Sequence, residues 1–140
     1  MANWNVSHSI GLAVGLAISG AVFFTHVAQD EHSPNTFIQG KTHVYDGGGV
    51  YVDDVKIRLW GIETPDIGTK SGDVSYASLA EYVDGRWLRC KPPPGTSEFP
   101  VSGSHKVALC TFRGDDIARY QIRNGHAHEW SELSDGYYRR

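Results

Sequence analysis

Residues 2–29 contain no Asp, Glu, Lys or Arg, and this run constrains the chain more than any other feature. Within it, residues 9–28 read SIGLAVGLAISGAVFFTHVA. As a helix rising about 1.5 Å per residue, ~20 such residues span roughly the 30 Å hydrocarbon core of a bilayer. The expectation is a single transmembrane anchor over 1–29, a polar linker over 30–40 (DEHSPNTFIQG) and one domain over 41–140. A cleavable signal peptide and a buried soluble helix are the competing readings. Against the first, residues 1–8 (MANWNVSH) carry no Lys or Arg. The best small-residue cleavage site, Ser19-Gly20-Ala21, is followed by more apolar chain.

Orientation is weakly encoded, because no Lys or Arg appears before Lys41. Asp30 and Glu31 favour an exported domain, which implies a single-pass protein of the bacterial inner membrane with its C-terminal domain in the periplasm. Gly11 and Gly15 are spaced by four and let a second helix approach closely, so a larger inner-membrane complex is the expected partner.

Behind the linker, 40% hydrophobic residues with four Trp, seven Tyr and five Phe are enough for a core. Sixteen Gly and six Pro favour turns and β structure over a helical bundle. A formal net charge of −3 without a Lys/Arg run argues against a nucleic-acid partner, whose phosphates call for a basic face. Strands are expected over 41–46, 50–52 and 55–61, with turns at Gly47-Gly48-Gly49 and at the two-residue connection Asp53-Asp54. Val55, Ile57 and Leu59 alternate with Lys56, Arg58 and Trp60, the period of a half-buried strand.

Residues 75–83 have helical spacing, and 87–90 and 107–112 read as strands. Four prolines keep 91–105 irregular between them. A helix is expected over 117–123, opened by Asp115-Asp116 and closed by Asn124-Gly125. The order β-β-β-α-β-β-α predicts a mainly β, α+β domain, a small barrel with a helix across its mouth. Cys90 and Cys110 both end strand-like segments and fit a disulfide in an exported domain. Two buried free thiols are the alternative. With no third cysteine and no CxxC, zinc is not expected. His126 and His128 lie two apart but lack further ligand types nearby, so they read as surface or packed residues, and Trp60 and Trp130 as packing.

The stretch VYDGGGVYVDDVKIRLWGIETPD, residues 44–66, resembles the staphylococcal nuclease (thermonuclease-like) family, whose pattern runs V-x-D-G-D-T and then I-R-L-x-G-I-D-x-P-E. VALCTFRGDDIARYQIRNGHA, residues 107–127, is similar to a later strand and helix of that family. The resemblance covers about residues 41–130 and implies an OB-fold five-stranded barrel with packed helices. It also implies a site in which two aspartates hold Ca²⁺, a glutamate positions water and two arginines clamp the phosphorane. A hard dication wants several anionic oxygens, and the arginine fork matches phosphate.

In this chain Arg58 matches the first arginine, while Asp66 stands for the glutamate and Glu63 for the second metal-binding aspartate. Gly48 replaces the first metal-binding aspartate, leaving Asp46 two residues away. His105, followed by Lys106, falls on the second arginine, and neither offers a bidentate fork. The expectation is therefore remnants rather than a working site: no cofactor, and a non-catalytic accessory subunit of a respiratory or photosynthetic membrane complex. The alternative is a weak Ca²⁺-dependent envelope nuclease using Arg58 and Asp66, and a third reading is ligand binding without cleavage.

Overall fold

The computed structural model describes residues 37–140. The expected anchor, with Gly11 and Gly15, lies outside the described residues. Among those residues no helix is long and apolar enough to cross a membrane.

Five strands form a closed barrel: β1 (Ile38–Asp46), β2 (Gly49–Val52), β3 (Val55–Leu59), β5 (Trp87–Lys91) and β7 (His105–Phe112). The ring runs β1-β2-β3-β7-β5 and back to β1. Every pairing in it is antiparallel except β3 with β7, which sets Ile57, Arg58 and Leu59 beside Lys106, Val107 and Ala108. The alternation seen in the sequence decides the inside. Val44, Val50, Val52, Ile57, Leu59, Leu88, Cys90, Ala108 and Cys110 are buried. Helices α1 (Lys70–Val83) and α2 (Ile117–Arg123) add Leu79, Val83 and Ile117 to the same cluster. The domain is mixed α+β and mostly β.

Several boundaries differ from expectation. The first strand starts at Ile38 rather than 41, because Ile38 to Lys41 pair with Cys90 to Trp87 across the barrel. The last residues of the expected linker therefore belong to the sheet. Helix α1 starts at Lys70 rather than 75: the Thr69 hydroxyl accepts from the Gly72 N–H and Asp73 lies in the first turn. The proline segment holds a two-residue strand, β6 (Val101–Ser102), folded back on His105 and Lys106. Two-residue strands β4 (Ile62–Glu63) and β9 (His128–Glu129) pair with each other, and β8 (Asp115–Asp116) pairs with the end of β7. The expected acidic start of α2 is present, since Asp116 Oδ1 accepts from the N–H groups of Ala118 and Arg119.

The chain end, a short helix α3 (Ser131–Ser134) and a 3-10 turn (Tyr137–Arg139), is anchored to the barrel rim. The Tyr138 hydroxyl donates to the Trp60 carbonyl at 3.0 Å, and Glu129 accepts from the Ser134 hydroxyl and the Tyr138 N–H. Trp60 is buried under Tyr137 and Tyr138, as its packing role requires.

The β1–β2 turn is fixed from behind. Buried Gln121 of α2 donates to the Gly47 carbonyl at 2.8 Å and to the Ser75 carbonyl at 2.9 Å. A Cβ on Gly47 would strike the Ser75 hydroxyl, and one on Gly49 would strike the Tyr45 ring. Those two glycines are demanded by packing; at Gly48 between them a Cβ would press on the Thr64 side chain at 3.1 and 3.2 Å, a milder conflict.

Cys90 and Cys110 face each other on β5 and β7 and are disulfide-bonded. Reducing this bond in the full chain should lower the thermal midpoint by roughly 10–20 °C, from about 3 kcal/mol of lost constraint on the unfolded chain. Calorimetry with and without dithiothreitol checks this, and an unchanged midpoint would show that the cross-link adds nothing to the closed barrel.

Candidate functional site

Asp46 ends β1 next to a bulge: pairing with β2 shifts register between Val44 and Asp46. Such an extra residue re-aims the side chains that follow it. The result brings Asp46 against Arg58 of β3, with Arg58 Nη1 3.0 Å from Asp46 Oδ2. The other oxygen, Oδ1, accepts from the Gly48 N–H at 2.8 Å. Both oxygens of Asp46 are thus in use, one by an arginine and one by the turn.

Arg58 takes Asp46 as its partner and not Glu63 or Asp66, which follow it in the same stretch. Neither carboxylate caps the Thr64-Pro65 turn either. It is the Asp66 carbonyl, not its carboxylate, that accepts from the Thr69 hydroxyl at 2.6 Å. Among the described residues the carboxylates of Glu63 and Asp66 take no hydrogen bond or ion pair, and both residues are exposed.

Beside this pair lies a groove of about 660 Å³. Arg58, Glu63, Thr64 and Asp66 line it, so three of the residues singled out in the sequence meet there. The remaining lining is mostly apolar: Leu59, Trp60, Ile62 and Val107 from the barrel, Pro93, Pro94, Pro100 and Val101 from the proline segment, and Trp130 and Leu133 from the chain end. Trp130 is 43% exposed here, which corrects its expected role in packing. The proline run and the late Trp were the available sequence signals for this half of the site, but nothing in their local pattern ties them to Arg58.

His105 is not part of the groove lining. Its ring lies 6.1 Å from that of Tyr45, and its Nδ1 is 3.1 Å from the Ser102 carbonyl. Lys106 turns its ammonium to the Phe99 ring at 5.6 Å. The two residues at the place of a second phosphate clamp are therefore engaged elsewhere. Tyr45 sits behind the Asp46–Arg58 pair, where burial and the neighbouring Asp46 carboxylate push its phenol up to about 12. It stays protonated and donates to the Ile57 carbonyl at 3.2 Å.

Gly48 explains the arrangement. A Cβ there would lie 3.1 Å from the Thr64 hydroxyl and 3.5 Å from the Arg58 guanidinium carbon. A carboxylate at 48 would stand in the Arg58–Thr64 corner; with glycine, Asp46 holds the arginine alone. The residues present do not fit Ca²⁺. The ion takes about six to eight oxygens, and its affinity rises with the number of carboxylates among them. Here each Asp46 oxygen already accepts one hydrogen bond, and no three His, Cys, Asp or Glu side chains converge among the described residues. His128 is exposed on β9 opposite Glu63, and His126 is half-buried, so these histidines form no ligand set either.

No protein-family model matches the chain, and no curated protein does.

Asp46→Asn tests the assignment. The amide oxygen can still accept from Gly48, while Arg58 loses its counter-charge. With both side chains partly exposed, the stability cost should stay within about 1 kcal/mol. Inorganic phosphate should then raise the melting temperature of the variant but not of the native chain, measured against chloride at equal ionic strength. An equal response in both would mean that Asp46 does not occupy Arg58.

Proposed function

We propose that the domain is an OB-fold module of the staphylococcal nuclease type whose phosphodiester site has been closed from within. In this reading it serves as a non-catalytic accessory subunit, held to an inner-membrane respiratory or photosynthetic complex by residues 1–29, with the barrel on the periplasmic side. One observation carries the non-catalytic part: the Asp46 carboxylate is divided between Arg58 and the Gly48 N–H. The arginine that would meet phosphate already has a counter-charge, and both oxygens of the carboxylate nearest a metal position already accept a hydrogen bond.

The strand ring supports the OB-fold assignment. Its order, its one parallel pairing between β3 and β7, and α1 placed between β3 and β5 match the five-stranded Greek-key barrel of that fold. The disulfide supports an oxidising compartment. The apolar, charge-free residues 2–29 support the anchor.

A weak Ca²⁺-dependent nuclease is the second reading, favoured by Arg58, Glu63 and Asp66 lining one groove. The full chain in mild detergent, incubated with single-stranded DNA and Ca²⁺, separates the two. The expected outcome is no cleavage above the level of an Arg58→Ala variant. Cleavage abolished by EDTA and by Arg58→Ala would replace the proposal with the nuclease.

A further inference from the structure

We infer that the groove beside Arg58 is a docking site for an extended segment of a partner protein that carries a basic residue next to apolar side chains. This deepens the non-catalytic reading above and rests on it.

The apolar part of the argument is exposure concentrated in one place. Val101 is 70% exposed, Trp130 43% and Leu133 47%, and all three line the same concavity. Large apolar side chains left open around a cavity of this size mark a surface that another molecule covers. Tryptophan, with tyrosine and arginine, is among the residue types enriched where a few side chains anchor a protein partner. Pro94 and Pro100 stiffen the segment that carries Val101, so little ordering is needed on binding.

Charge specifies the occupant. The groove holds three ionised residues, Arg58, Glu63 and Asp66. Arg58 is cancelled by Asp46 within the pair, which leaves Glu63 and Asp66 exposed and unmatched among the described residues. An anionic ligand such as a nucleic-acid backbone would meet two uncompensated carboxylates. A lysine or arginine set beside aliphatic residues would satisfy both halves of the surface. The chain's own leading segment does not supply that charge, since residues 2–40 contain no Lys or Arg.

The test is selection of a displayed random decapeptide library on the full chain in detergent micelles, followed by affinity measurement on the enriched peptides. Enriched sequences should carry Lys or Arg adjacent to aliphatic or aromatic residues. Their affinity should fall at least about tenfold with Trp130→Ala and with the double variant Glu63→Gln/Asp66→Asn, and stay unchanged with Trp87→Ala, an exposed tryptophan away from the groove. Three results would overturn the inference: no enrichment, acidic or uncharged winners, or binding insensitive to the groove variants. Winners that match residues 1–36 would assign the groove to this chain itself. Reversible self-association blocked by Trp130→Ala in sedimentation would assign it to a second copy. Either would also overturn the inference. DNA cleavage in the same preparation would remove the reading beneath it, whereas an inert chain that selects no peptides would remove only the docking site.

Discussion

The parallel contact between β3 and β7 holds the domain together. Ile57, Arg58 and Leu59 meet Lys106, Val107 and Ala108, strands separated by almost half of the described chain. The other ring pairs are antiparallel, and two of them, β1–β2 and β2–β3, form across tight turns. Such hairpins close with little entropy loss, whereas the β3–β7 contact must bring distant segments together. The Cys90–Cys110 bond lies on the adjoining β5–β7 pair and limits how far β7 strays in the unfolded chain. Closure also builds the site, because it carries the proline segment that precedes β7 to the flank of Arg58.

Within that frame the Asp46–Arg58 pair matters for what it occupies rather than for what it stabilises. Its side chains are 21% and 36% exposed, so solvent screens the attraction and its contribution to folding is small. Its chemical effect is large. A guanidinium that already has a carboxylate counter-charge through one hydrogen bond attracts a phosphate less, and a carboxylate that already accepts from an N–H and an arginine is a weaker cation ligand. Gly48 makes this self-satisfaction available by leaving the corner beside Thr64 empty. What remains outside the pair is a concavity of prolines, Val101, Trp130 and Leu133 with two free acids, a surface with the chemistry of recognition.

The barrel was legible where side-chain period and turn chemistry act locally. The Asp53-Asp54 connection and the Asp116 cap appear as read, and Ile57 and Leu59 are buried as their alternation implies, although the strand ends at Leu59 rather than 61 and Trp60 on its other face is buried too. Some of the features missed depend on distant partners, and one on a local cap. Ile38 to Lys41 become strand only because β5 lies beside them, and Lys70 to Val74 become helix through the Thr69 cap despite their polar composition. β4 and β9 are too short to show a period. At the site, Arg58, Glu63 and Asp66 could be picked out by pattern, but the partner of Arg58 could not. Asp46 follows a register shift in the β1–β2 pairing, beside the close contacts of Gly47 with Ser75 and of Gly49 with Tyr45, which no spacing of residue types reveals.

The most direct measurement is a calorimetric titration of the full chain with Ca²⁺ in a non-coordinating buffer. Asp46 held by Arg58 and the Gly48 N–H, with no cluster of three His, Cys, Asp or Glu among the described residues, predicts no saturable heat up to about 10 mM, beyond even the ~10⁻³ M range of weak calcium modules. One-site binding at millimolar or lower concentration, lost in Asp46→Ala, would show that the carboxylate is available to a metal and that the site is still open.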